Sequence, residues 1–141
     1  MTEPAAPAGG ALYVLDTSTL VDVLRRRADV VGRLDAVSPD DVRVSAASAA
    51  ELYYGALRSR DPAGNAAAVD QLLGEVGVLA FGRSTARVHA RLREALRATP
   101  IGAFDLLIAA TAVAHGATVV TANVREFARV PGLAVERWRA A

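Results

Sequence analysis

Two hydrophobic rhythms alternate along this chain. Ala11-Leu12-Tyr13-Val14-Leu15 is a continuous apolar run, the pattern of a strand buried on both faces. Residues 18–27 then carry Leu20, Val23 and Leu24 at helical spacing, and Asp29 opens a second helical stretch with Val30, Val31, Leu34 and Val37 that stops at Ser38-Pro39. Val42-Arg43-Val44 predicts a second strand. Ser48 to about Ser59 predicts a helix broken by Asp61-Pro62-Ala63-Gly64, with another over 65–74. A third strand is predicted from Val76 to Phe81, an amphipathic helix over 84–98, and an apolar helix from Ala103 to His115 capped by Gly116. Thr118 to Thr121 and Leu133 to Glu136 complete a set of five strands. Strands alternating with helices predict an α/β fold of three layers, a central mostly parallel sheet of about five strands with helices on both faces.

Length and composition narrow the class. The 141 residues suffice for one domain with a real core, and 52% of them are hydrophobic. Residues 1–10, rich in Ala, Pro and Gly, read as a flexible tail ahead of a domain spanning 11–141. That tail lacks the basic start and apolar stretch of a signal peptide, and no apolar run reaches the roughly 18–20 residues a membrane span needs. A cytoplasmic location with no membrane partner is the expectation. There is no cysteine, hence no disulfide, thiolate nucleophile or zinc–thiolate site.

Net charge is only +1, but all sixteen basic residues are Arg. The absence of Lys excludes P-loop nucleotide hydrolases, Schiff-base enzymes and protein kinases. It also counts against a phosphatase or phosphoacceptor domain using Asp16 as nucleophile, since such domains use a lysine and a second nearby acid, and Ser18 stands where that acid belongs.

The candidate chemistry lies in acids placed at helix starts. Asp16 ends the first strand, on the edge where open α/β sheets bind ligands. Glu51 and Asp105 occupy comparable positions. Each has a local explanation: Asp16 as an N-cap, Ser48 and Glu51 as a capping box, Asp105 as a first-turn charge favoured by the helix dipole. Capping does not explain why acids recur at one edge of one sheet. Read together, the carboxylates would repel one another unless a cation neutralised them, and oxygen-only donors select Mg²⁺ or Mn²⁺ over Zn²⁺. His89 and His115 lie apart from these positions, and Asp22 reads as a solvated helix residue. Arg83, Arg87 and Arg91 form a wet stripe, whereas Arg25-Arg26-Arg27 lies nearer Asp16 as a candidate phosphate contact. Tyr53 and Tyr54 are either core residues or an apolar patch for a partner.

Leu15-Asp16-Thr17-Ser18, Ala50-Glu51-Leu52-Tyr53-Tyr54-Gly55, Phe104-Asp105-Leu106-Leu107-Ile108-Ala109-Ala110-Thr111-Ala112 and Val120-Thr121-Ala122-Asn123-Val124-Arg125-Glu126-Phe127 follow one another in an order that resembles PIN-domain ribonucleases. Within that family the chain is most similar to the VapC toxins of bacterial toxin–antitoxin pairs. The resemblance runs from about residue 11 to the end, including Pro131-Gly132-Leu133 and Trp138. It implies a Mg²⁺- or Mn²⁺-dependent endoribonuclease of RNA, dimeric and held inactive by a cognate antitoxin. It further implies that Asp16, Glu51 and Asp105 are the metal-site acids. At the family's fourth acidic position the match is Asn123, with Glu126 three residues on. Asn coordinates through its carbonyl without bringing charge, which suits one tightly held metal. It also leaves room for a degenerate PIN domain that binds RNA or protein without cleaving.

Overall fold

The computed structural model describes residues 12–140; the predicted tail at 1–10 lies outside the described residues. The elements follow as β1 (Tyr13–Leu15), α1 (Thr17–Leu24), α2 (Ala28–Asp35), a 3₁₀ turn (Pro39–Asp41), β2 (Val42–Ser45), α3 (Ala46–Leu57), α4 (Pro62–Val76), β3 (Val78–Leu79), α5 (Arg83–Ala95), α6 (Ala103–Ala114), β4 (Thr118–Val120), α7 (Val124–Phe127) and β5 (Ala134–Glu136). The sheet runs in the order β3-β2-β1-β4-β5, and every pairing is parallel.

Strand β1 is the centre of the sheet because its run has no polar face to leave in water. Tyr13 and Leu15 point into one apolar layer with Leu20, Val30, Leu52 and Val69, contributed by α1 to α4. Val14 points into the other with Leu92, Ile108 and Phe127, contributed by α5, α6 and α7. Both layers are closed, so the fold is a three-layer sandwich as the alternation predicted. The chain runs outward from β1 through β2 to β3, then crosses back to β4 on the other side of β1 and on to β5. That places a topological switch point beyond the carboxyl ends of β1 and β4, where Asp16 and Thr121 emerge.

Several element boundaries differ from the sequence expectation, each for a local reason. Helix α3 begins two residues before Ser48, at Ala46, because Ser45 is its N-cap and takes the Ser48 N–H at 3.0 Å. The Asp61-Pro62 pair opens α4 instead of breaking a helix: Asp61 caps it and Pro62 occupies the first turn. Gly77, at φ 80°, then ends α4 at Val76, so Val76 belongs to the helix; β3 pairs with β2 only over Val78–Leu79 and does not extend to Phe81. Helix α7 was not anticipated.

The last described residues brace α1 and α2. Asp22, expected to be solvated, is 6% exposed and is gripped at both oxygens by the Arg139 guanidinium, at 2.8 and 3.0 Å. Trp138 packs edge-on against Tyr13 and lies under the Arg33 guanidinium.

Candidate active site

Asp16 is held by the two strands that flank the switch point. Its N–H bonds to the Val120 carbonyl at 2.9 Å, continuing the β1–β4 pairing by one residue. Its side chain is 3% exposed. One oxygen accepts from the Thr19 N–H at 2.9 Å and the Ser18 hydroxyl at 2.7 Å; the other accepts from the Thr121 hydroxyl at 2.5 Å. Asp16 therefore is the N-cap of α1, as its local reading required, but one of its two carboxylate oxygens is held by a residue 105 positions away.

Glu51 is freed from the capping role. With Ser45 as the cap, Ser48 turns inward and its hydroxyl lies 3.1 Å from that of Thr17. Thr17 donates to Glu51 at 2.5 Å. Helix α3 thus presents Glu51 towards the start of α1 and so towards Asp16.

Asp105 and Glu126 form the other half of the edge. Helix α6 starts at Gly102 without a side-chain cap. Glu126 supplies one from a distance, accepting the Gly102 N–H at 2.8 Å. Its second oxygen takes the Asn123 side-chain amide at 3.1 Å, while the Asn123 N–H bonds to the Thr121 hydroxyl at 2.9 Å. Asp105 shares a hydrogen bond with Glu126 and is pushed up to about 7, by burial first, then by that bond and by the charges of Glu126, Asp16 and Glu51. Glu126 is held below the usual glutamate range, chiefly by the Gly102 N–H. Of the two carboxyls, Asp105 thus holds its proton more tightly than usual and Glu126 less so. Gly102 lies close to both: a Cβ there would stand 3.5 Å from Glu126 and 3.6 Å from Asp105.

Asp16, Glu51 and Asp105 therefore arrive at one sheet edge. Asn123 arrives there too, but it is Glu126 that brings a carboxylate to Asp105. The signal for Glu126 was present in its three-residue spacing from Asn123, one turn of the helix that went unanticipated. His115 is spent on the C-terminus of α6, its Nδ1 lying 2.8 Å from the Thr111 carbonyl, and His89 packs against Phe81.

The donor chemistry suits a hard divalent cation: the acids offer only oxygens, and their mutual repulsion already appears at Asp105. Among the described residues no three His, Cys, Asp or Glu side chains are yet drawn together around a metal position. The carboxylates are held by hydroxyls and amides in an open arrangement.

The sequence profile of the PIN domain matches residues 13–133. The chain belongs to the PIN-domain family. It is 31% identical over 128 residues to the tRNA(fMet)-specific endonuclease VapC of Salmonella typhimurium, spanning 89% of this chain and 97% of that one. To ribonuclease VapC2 of Rickettsia felis it is 32% identical over 131 residues, spanning 90% and 98%. The structure of DNA-bound VapBC from Salmonella typhimurium aligns with a TM-score of 0.86 at 31% identity, over 92% of this chain and 99% of that chain. The five-stranded parallel sheet and its flanking helices are thus those of a PIN domain, and the acids lie within the matched residues.

Proposed function

We propose that this PIN domain is a metal-dependent endoribonuclease, the toxin of a toxin–antitoxin pair. The observation that carries the reading is the arrival of Asp16, Glu51 and Asp105 at the switch-point edge, with Glu126 hydrogen-bonded to Asp105. Asp16, Glu51 and Asp105 would hold Mg²⁺ or Mn²⁺, whose charge would polarise a phosphoryl oxygen and activate water for phosphodiester hydrolysis.

The chain's own residues set the stage for that chemistry. Thr121, Ser18 and the Thr19 N–H fix the Asp16 carboxylate, so it needs no reorientation when the RNA backbone arrives. Thr17 orients Glu51 in the same way. Asp105 would act as a ligand in its ionised form, and its raised proton affinity, to which Glu126 contributes, makes that form depend on pH. Asn123 is a positioning residue: its side-chain N–H holds Glu126, and its side-chain carbonyl is the charge-neutral donor read from its sequence position.

The partners follow the same reading. Tyr54 is 63% exposed and Leu57 71% exposed on α3, an apolar surface suited to a second copy of the chain or to an antitoxin. The VapC relatives were solved as VapBC complexes, which supports a cognate antitoxin here. No helix among the described residues is long and apolar enough to cross a membrane. We place the activity in the cytoplasm, where an RNA-cleaving toxin meets its substrate.

The decisive experiment is cleavage of a mixed RNA pool, including the initiator tRNA named for the Salmonella relative, with Mg²⁺ or Mn²⁺. Cleavage should vanish in EDTA and in Asp16→Asn. Cleavage that survives both controls would remove the metal-site reading. RNA binding with no cleavage under any metal would favour the degenerate, non-cleaving PIN domain.

A further inference from the structure

The three consecutive arginines after α1 are not equivalent. Arg27 is paired with Asp29 at 2.8 Å. Arg26 adopts a left-handed backbone at φ 58° and closes the helix: its N–H bonds to the Val23 carbonyl at 3.0 Å, and the Arg27 N–H to that of Asp22 at 2.9 Å. This closure fixes the backbone at Arg25, the C-cap residue. Arg25 is exposed and makes no ion pair among the described residues.

Arg25 also lines a cavity of about 330 Å³ between α1, α3 and α4, and Glu51 lines the same cavity. Among the described residues these are its only charged ones; Val21, Leu24, Leu52 and Val69 make an apolar wall. The exposed stripe of Arg83, Arg87 and Arg91, by contrast, borders a depression that contains none of the candidate site's acids. The groove thus combines a surface for the flat face of a base with an unpaired cation, and it ends at an acid of the site. That combination matches one nucleotide unit, apolar in its base and anionic in its phosphate. Guanidinium is the natural phosphate partner, being planar and always charged.

We propose that Arg25 binds a backbone phosphate of single-stranded RNA whose adjoining nucleotide lies in the groove between α1, α3 and α4, so that the strand enters the site past Glu51. The inference rests on the ribonuclease reading and adds the direction from which the substrate arrives. Binding through this contact is a ground-state interaction, so it acts on affinity more than on turnover.

The test uses the full chain, a fluorescent mixed-sequence single-stranded oligoribonucleotide, and a salt series in EDTA, followed by cleavage kinetics with Mn²⁺. Arg25→Gln should weaken binding about tenfold at low salt. It should also flatten the log–log salt slope by about 0.7, the value of one lost phosphate contact on a single strand. KM should rise with kcat little changed, Arg25→Lys should recover most of the affinity, and Arg26→Asn, which keeps the left-handed turn while removing a charge, should bind as wild type. An unchanged affinity and salt slope in Arg25→Gln would overturn the proposal and leave the groove to a protein partner. A fall in kcat with KM unaltered would overturn it as well. If the wild-type chain binds RNA through Arg25 but never cleaves it, the groove assignment stands and the ribonuclease reading falls.

Discussion

Asp16 and Asp105 stand at the same sheet edge in opposite conditions. Asp16 is almost fully buried, yet each of its oxygens meets a hydroxyl or N–H donor. Asp105 is half-buried, and what it meets is another carboxylate. Neutral donors stabilise the first anion within the fold. The second is stabilised only by a proton, and would be by a cation. A single site thus contains one acid that organises the fold and one that is left unsatisfied by it. Sites that bind ions are expected to concentrate such frustration where the ligand relieves it.

Removing each acid should separate these roles. The largest effect is expected from Asp16→Ala, which strips the cap from α1 and leaves the Thr121 hydroxyl and Thr19 N–H without their acceptor. Stability should fall by about 2 kcal/mol in urea unfolding, and cleavage should fall by at least ~100-fold. Asp105→Asn should cost a similar factor in cleavage but raise the melting temperature of the metal-free protein. If that variant melts lower, Asp105 is structural and the comparison fails.

The pH dependence sharpens the same contrast. The Asp105 carboxyl ordinarily titrates near 3.8 and is raised to about 7 in the folded chain. Between those values the folded state holds a proton that the unfolded state has released. The resulting stabilisation is therefore complete at low pH and lost as pH rises through about 7. Metal-free protein should lose melting temperature from pH 5 to pH 8 at this group, and Asp105→Asn should flatten that part of the profile. Glu126, lowered, acts in the opposite sense, losing its contribution only as the solution becomes more acidic. Added Mn²⁺ competes with the Asp105 proton, so its stabilising effect should be larger at pH 8 than at pH 5.

The smallest expected effect distinguishes Asn123 from its neighbour. Asn123→Ala removes one hydrogen bond to Glu126 at an exposed position and should reduce cleavage only a few-fold. Glu126→Gln removes the ionised partner of Asp105 and should reduce it about 10- to 100-fold. The reverse ranking in initial rates would show that Asn123, not Glu126, is the fourth functional group at the edge.

The layers and the edge were legible in the sequence because they depend on local pattern. A run such as Tyr13-Val14-Leu15 has no polar face, so it had to be central, and acids that follow such strands share an edge once the strands are parallel. Helix starts were less legible because several residues compete for each. Ser45 and Ser48 can both cap, and only the inward turn of Ser48 towards Thr17 decides between them. Asp61-Pro62 is compatible with a break or a start, and α4 uses it as a start. What could not be read were partnerships across the chain. Asp22 looked like a surface residue because Arg139 is 117 positions away. Glu126 looked secondary to Asn123 because neither Asp105 nor the Gly102 N–H is its sequence neighbour.

The bond from Thr121 to Asp16 has a consequence for biosynthesis. A growing chain emerges from the ribosome N-terminus first, and Asp16 appears more than a hundred residues ahead of the threonine that completes its cradle. Strand β4, which pairs with β1 and aligns that threonine, arrives with it. A truncated translation product that stops between residues 105 and 118 carries Asp16, Glu51 and Asp105 but lacks the strand that orients the first of them. An incomplete chain is therefore expected to be inert towards the machinery that makes it, and the nuclease site to form only once translation has passed the last of its anchors.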